Sequence, residues 1–113
     1  MLLLPEIDAL EREKDGLNLR FFVPETNCYF EGHFPGCAVL PGVVQVGWAI
    51  ELARLHIPFS ARFRSLAAVK FVRVIQPNAA LALRLAVDAN FRELSFEYRL
   101  GDEPCSSGRV LFS

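Results

Sequence analysis

One histidine stands next to the most apolar stretch of the chain. His33 lies in the segment GHFPG (32–36), and after it the chain carries no charge until Glu51. A histidine exchanges protons near neutral pH, so His33 is a candidate general base. The alternative is a structural histidine that is hydrogen-bonded and inert in a tight loop. The predicted secondary structure and the motif around His33 are needed to distinguish a general base from a structural histidine.

The other residues that could do chemistry form no recognisable pattern. The cysteines Cys28, Cys37 and Cys105 are odd in number and lack CxxC spacing, which indicates reduced thiols rather than a disulfide framework or a zinc site. Cys37 is either a reactive thiol or, more simply, a small loop residue. His56 precedes a proline and is interpreted as a partner of a helix C-terminus. No nucleotide, flavin or metal motif is present, so we expect no cofactor and no metal.

The elements that must position these residues follow from the hydrophobic pattern. Residues 16–25 alternate between apolar and polar side chains and predict a strand ended by Pro24. Pro41 suits the first turn of a helix, which we predict over residues 42–55. This helix is apolar on nearly every side and must be buried on most of its faces. Turn signals about every ten residues then predict an antiparallel meander, with strands at 63–76, 79–89, 92–100 and 105–113.

One buried helix, one or two strands before it and at least four after it predict an α+β protein. The simplest way to bury such a helix is to wrap a sheet around it, which is the hotdog fold, here with five or six antiparallel strands. A chain of 113 residues has room for one core, so residues 1–113 form a single domain. One small sheet covers this helix only in part, so we expect a dimer or a larger oligomer.

Composition excludes several classes of function. The chain is 52% hydrophobic and 22% charged, which excludes a disordered protein. The net charge is −1 and acids and bases are interspersed, so nucleic acid is not an expected partner. The N-terminus has only three leucines before Pro5, too few for a signal peptide, and no apolar run is long enough to span a membrane. We therefore expect a cytoplasmic protein that does not bind a membrane.

Four stretches, two of which overlap, resemble one known family. GHFPGCAVLPGVVQ (32–45) resembles the signature of 3-hydroxyacyl-ACP dehydratases of the hotdog fold (FabA/FabZ type). KFVRVIQPN (70–78) is similar to a strand end of the same family. CSSGRVLF (105–112) and PGVVQVGWAI (41–50) resemble a subgroup associated with aryl-polyene or xanthomonadin-like pigment clusters. The first stretch is specific and the others support it.

The resemblance implies an activity and a partner. In the family a histidine removes the C2 proton of an acyl thioester carried by acyl carrier protein, and His33 occupies that position. The backbone amide that binds the thioester oxygen corresponds to Gly42, where free N–H groups and the helix dipole stabilise an oxyanion. The resemblance also implies substrate-binding positions at the loop and helix, namely Phe34, Pro35, Gly36, Pro41, Gly47 and Trp48. Trp48 is otherwise interpreted as a core residue.

The family's carboxylate, which protonates the departing hydroxyl, is absent. It should stand fourteen residues after the histidine, where this chain has Gly47. Gly47 is interpreted as a packing glycine, as the loss of the acid, or as an introduced substitution. Glu51 is one turn further along the helix, about 6 Å by the rise per residue. It is the candidate substitute acid, and otherwise a polar residue at a dimer seam.

Three functions remain open. The first is dehydration of 3-hydroxyacyl-ACP in fatty-acid or polyene-type biosynthesis, a lyase reaction. The second is hydrolysis by a hotdog thioesterase, which the motif around His33 disfavours. The third is a non-catalytic thioester-binding subunit, which Gly47 favours. In the family, the histidine and the carboxylate of one site come from different subunits. A heterodimer with a dehydratase homologue could therefore supply the missing acid to His33.

Overall fold

The computed structural model describes residues 3–30, 38–57 and 62–113. Two strands precede the helix and four follow it. The elements are β1 Ala9–Glu13, β2 Gly16–Val23, a 3₁₀ turn at Cys28–Phe30, α1 Gly42–His56, β3 Phe63–Phe71, β4 Ala79–Val87, β5 Glu93–Leu100 and β6 Glu103–Phe112.

The six strands form one sheet in the order β1-β2-β4-β5-β6-β3, and every neighbouring pair is antiparallel. The strand that follows the helix, β3, therefore crosses to one end of the sheet, and β1 forms the other end. The prediction of a helix with an antiparallel sheet of five or six strands is confirmed.

Alternation along the strands explains which face of the sheet is covered. In β2, Leu17, Leu19, Phe21 and Val23 are buried while the residues between them are partly or fully exposed. Successive side chains of a strand point to opposite faces, so these four lie on one face. Their partners continue the same layer, since Leu19 pairs with Leu83 in β4. This layer is the core against which α1 packs.

The helix is anchored to this layer by aromatic contacts and hydrogen bonds. Trp48 is fully buried and its ring meets Phe21 edge-on at 5.9 Å between centroids. The Tyr98 hydroxyl of β5 donates to the Gln45 carbonyl at 2.7 Å. The opposite face of α1 remains bare, because Val43 and Leu55 are 78% and 65% exposed. The described residues contain no helix of the length and apolarity that crossing a membrane requires.

Strand β1 and the end of β3 differ most from the sequence prediction, and the other boundaries differ by one or two residues. The five side chains of β1 are all exposed, so no alternation marks this strand in the sequence. The strand expected over 63–76 ends at Phe71, because the N–H groups of Val72 and Arg73 both donate to the Cys105 carbonyl. The chain then leaves the sheet and runs beside the residues before α1, where the Leu40 N–H donates to the Ile75 carbonyl at 2.8 Å.

Candidate functional site

The start of α1 has free backbone donors. Pro41 occupies the N-cap with extended backbone (φ −61°, ψ 144°) and provides no side-chain cap. Its carbonyl accepts the N–H groups of Val44 and Gln45, each at 3.1 Å. Among the described residues, no backbone acceptor pairs with the N–H of Gly42 or Val43. Uncapped amides at the positive end of a helix dipole form a site for an oxyanion or an anion.

Gly42 allows an aromatic ring to approach this helix start. A Cβ atom added at Gly42 would lie 2.7 Å from Cζ of Phe71 and 3.0 Å from its Cε1. Such distances are shorter than van der Waals contact, so no side chain fits at position 42 while the ring stays in place. Phe71 is half-exposed at the end of β3. Because Gly42 has no side chain, the Phe71 ring can lie close to the backbone at the start of the helix.

A pocket of about 570 Å³ opens beside the helix start. Most of its lining is apolar, and its charged residue is Arg73, which forms an ion pair with Glu103. An apolar pocket next to uncapped amides can hold an apolar chain whose polar end reaches the amides. The lining residues are Val39, Leu40, Pro41, Gly42, Val43, Gln45, Phe71, Val72, Arg73 and Val74.

Gln45 is the buried polar side chain of this region. Its Nε2 donates to the Leu40 carbonyl at 3.0 Å, and its Oε1 accepts the Ser106 hydroxyl at 2.6 Å. Its backbone carbonyl accepts the hydroxyl of Tyr98, and burial raises the pKa of Tyr98 well above its usual value, so this hydroxyl stays protonated. The sequence signal that could have indicated this network is the position of Gln45, an amide side chain within an otherwise apolar helix. A single amide inside an apolar helix must find partners when it is buried.

The structure places Gly47 and Glu51 on a different part of α1 from the pocket. Gly47 is half-buried, Glu51 is exposed, and neither lines the pocket. They follow Val43 at intervals of four residues and so share its face of the helix. Nine residues separate Gly42 from Glu51, a distance of about 13.5 Å along the axis. Within one chain, Glu51 is not next to the Gly42 amide.

Trp48 lies on the buried side of the helix. Its indole N–H donates to the Leu3 carbonyl at 2.8 Å, and Tyr29 meets its ring edge-on at 6.0 Å. These contacts match the interpretation of Trp48 as a core residue. Its assignment as a substrate-binding residue stays a prediction.

The loop residues of the sequence motif lie outside the described residues. These are His33, Phe34, Pro35, Gly36 and Cys37. Their predicted roles stay predictions. The nearest described positions are Phe30 and Ala38, and Ala38 leads into Pro41 at the start of α1.

Cys105 and His56, among the described residues, do not form a second catalytic or metal site. Cys105 is buried, which raises the pKa of its thiol and keeps it protonated. His56 is the last residue of α1, and its carbonyl accepts Nη1 of Arg12 at 2.9 Å. Within the three described ranges, no three His, Cys, Asp or Glu side chains come together as metal ligands.

Large apolar side chains are exposed along α1 and along and after β3. This set combines the bare face of α1 with β3, which has no neighbouring strand on its outer side. We call this the β3–α1 surface. It consists of Val43, Leu55, Phe63, Leu66, Phe71, Val72 and Val74, all of them exposed in the single chain. Exposed large apolar side chains are typical of an interface where they lie together.

Comparison with known proteins gives one family and several related structures. A family model described as ApeI-like, ApeI dehydratase, matches residues 9–109. A chain of the dehydratase heterocomplex ApeI:P from Xenorhabdus doucetiae is similar at 29% identity with a TM-score of 0.88, covering 96% of both chains. An uncharacterised protein from Erwinia carotovora subsp. atroseptica is similar at 28% identity with a TM-score of 0.84, covering 98% of this chain and 97% of that one.

A more distant structure agrees in fold. The dehydratase domain from the CurK module of curacin polyketide synthase is 15% identical with a TM-score of 0.64, over 99% of this chain and 43% of that one. At this identity the match concerns the fold alone. Together with the nearer structures it confirms the predicted hotdog arrangement.

Proposed function

The chain belongs to the ApeI-like dehydratase family, and from this premise we propose that it acts on or binds 3-hydroxyacyl thioesters. The observation that carries the proposal is the helix start. Gly42 and Val43 have N–H groups without a backbone acceptor in the described part of the chain, and they lie beside an apolar pocket of about 570 Å³. A thioester has the matching chemistry, with one carbonyl oxygen that gains negative charge and an apolar acyl chain.

The proposed reaction divides between a base and an oxyanion site. His33 takes the C2 proton, and the electron pair forms the double bond between C2 and C3 as the C3–O bond breaks. The Gly42 N–H stabilises the negative charge on the thioester oxygen. The departing hydroxide needs a proton to leave as water, so the site also needs an acid.

No acid of this chain stands where the family has one. Gly47 provides no carboxylate, and Glu51 begins about 13.5 Å from Gly42 along the helix axis. Two copies of this chain would each bring a glycine to the expected place. Glu51 of a second copy is the acid nearest to Gly47 in the sequence, and its role as the acid of a homodimer is a secondary proposal.

We propose that a dehydratase homologue supplies the acid in a heteromer. One similar chain comes from a complex named as a dehydratase heterocomplex, which supports a heteromeric partner. The β3–α1 surface is apolar and includes Phe71 and Val43 at the pocket, so a partner bound there would lie next to the helix start. The carrier is proposed to be acyl carrier protein, as the resemblance implies.

The experiment uses the purified chain alone and together with a dehydratase homologue. Each sample is incubated with a 3-hydroxyacyl-ACP and followed by enoyl absorbance and by release of the free carrier thiol. The proposal expects enoyl product that is slow with the chain alone and faster with the partner. Free thiol without enoyl product would indicate a thioesterase instead. Binding without either product, with and without the partner, would indicate a non-catalytic subunit.

A further inference from the structure

The hydrogen bonds of Gln45 connect the sheet to the residue before the helix cap. Ser106 of β6 donates to the Gln45 side chain, which donates in turn to the carbonyl of Leu40. Leu40 is followed directly by Pro41, the N-cap, and its own N–H is bound to Ile75. Both backbone groups of Leu40 are therefore fixed. The chain enters α1 from a point that the sheet holds by hydrogen bonds.

The same residue is held from a second direction. Tyr98 of β5 donates its hydroxyl to the carbonyl of Gln45 itself, within the first turns of α1. Gln45, Ser106 and Tyr98 are each at most 3% exposed, so water does not compete for these bonds. Removing the Ser106 hydroxyl leaves Oε1 of Gln45 buried without its donor, and removing the Tyr98 hydroxyl takes away the bond that ties the Gln45 carbonyl to the sheet. Both changes favour a shift of the helix start.

We propose that Gln45, Ser106 and Tyr98 are positioning residues that aim the Gly42 N–H at the thioester oxygen. The inference rests on the proposed function, because it concerns the amide that binds the thioester. None of the three touches the reacting atoms in this scheme. They act through Leu40 and through the four residues 41–44 between it and Gln45, which together define where the free amides lie. Displacement of such a donor by about 1 Å costs up to about a hundredfold in rate.

The chain offers a matched control for the test. Ser107 follows Ser106 on β6 but is half-buried on the other face, where it lines a separate groove on the outside of the sheet. Ser106→Ala and Ser107→Ala thus remove the same hydroxyl from the same strand, and only the first removes the bond to Gln45. Tyr98→Phe is the second test variant, since it removes only the bond to the Gln45 carbonyl.

The first measurement is the infrared band of a ¹³C-labelled thioester carbonyl on acyl-ACP that lacks the 3-hydroxyl. A hydrogen bond from Gly42 lowers the frequency of this band on binding, and dehydration is not required. We expect the lowered band in the wild type and in Ser107→Ala, and its partial or complete return toward the free value in Ser106→Ala and Tyr98→Phe. An unchanged band in both test variants would overturn the positioning role.

The second measurement is hydrogen exchange at the ends of α1. The Val44 and Gln45 amides report the helix start, and the Ile57 amide, which donates to Ala53, reports the other end. We expect faster exchange at the start alone in the test variants, together with a fall in kcat of about tenfold to a hundredfold at nearly constant KM. Faster exchange with an unchanged carbonyl band and kcat would make the network structural only and would overturn the proposal.

The two proposals fail in different ways. A wild type that binds the labelled thioester but never dehydrates it would refute the catalytic proposal, while the carbonyl band would still decide the positioning role. A wild type that shows no bound-carbonyl band at all would refute both.

Discussion

Replacing Gly42 by alanine tests the helix start more directly than any other single change. The new Cβ would lie 2.7 Å from Cζ of Phe71, where an ordinary carbon contact is about 3.5–4.0 Å. The tip of the ring must therefore move by about 1 Å. Phe71 is 52% exposed, so its ring can turn toward solvent at little cost.

Stability and activity should separate in this variant. Alanine in place of glycine favours the helix by up to about 1 kcal/mol, which offsets the displacement of the ring. We expect a free energy of unfolding within about 1 kcal/mol of the wild type. Activity should fall by about tenfold to a thousandfold, because the methyl group stands at the amide that we propose binds the thioester oxygen, and loss of such a donor costs about 10²–10³.

A double-mutant cycle with Phe71→Ala identifies the cause. The assay is kcat/KM for enoyl formation, with thermal unfolding measured on the same samples. If the displaced ring is responsible, Gly42→Ala should cost much less activity in the Phe71→Ala background than in the wild type. If the methyl group itself blocks the thioester, the loss should be the same in both backgrounds. Wild-type activity of Gly42→Ala in both backgrounds would refute the role assigned to the Gly42 amide.

Four further predictions concern the base, the acid, a turn and the assembly. His33→Ala should abolish dehydration and C2-deuterium exchange with little change in melting temperature; undiminished exchange would return His33 to a structural role. Gly47→Asp should raise the rate of the isolated chain by about 10²–10⁴ if the site lacks only an acid, and Glu51→Gln should lower it only if Glu51 has replaced that acid. The backbone N–H groups of Glu93 and Arg92 lower the pKa of the Asp88 carboxyl below 3.8, so its stabilising effect is present above that pH and lost as the pH falls through the lowered pKa. Denaturation curves of the wild type and Asp88→Asn should therefore differ at neutral pH and converge in acid, and a difference that persists in acid would contradict this assignment. Light scattering should give a dimer or larger species at micromolar concentration, and a monomer would contradict the interface assigned to the β3–α1 surface.

The sequence predicted the elements that are buried on one face, such as β2, and the helix that is apolar on nearly every side. The alternation of Leu17, Leu19 and Phe21 gave β2, and the apolar run after Pro41 gave α1 with the correct first residue. Strand β1 could not be found in this way, because all of its side chains are exposed and only pairing with β2 defines it. The end of β3 at Phe71 depends on two N–H groups sharing one distant carbonyl, which no local pattern encodes.

The candidate site was predictable in part. The proline predicted the helix start, and among the described residues no backbone acceptor pairs with the N–H of Gly42 or Val43. The role of the Gly42 amide, which the family resemblance implied, stays a prediction. The contacts of Gln45 were not predictable, since Ser106 is 61 residues away and only the sheet order brings it close. Phe71 near Gly42 has the same origin, because β3 crosses the sheet to its edge before the chain returns to the helix.

The exposed face of α1 bears on whether a chain without a carboxylate at position 47 can still take part in dehydration. A helix apolar on every side was expected to be buried on most faces, yet Val43 and Leu55 are exposed in the single chain. Gly47 and Glu51 share that face, so the position of the missing carboxylate lies toward whatever covers the helix. The Gly42 amides lie instead at the pocket beside β3. In a complex built on the β3–α1 surface, the oxyanion site and base of one chain can meet an acid of another. In the proposed heteromer, Gly47 removes the acid that this chain would give to its partner's site, and the proposed oxyanion site at Gly42 and the proposed base His33 are still present.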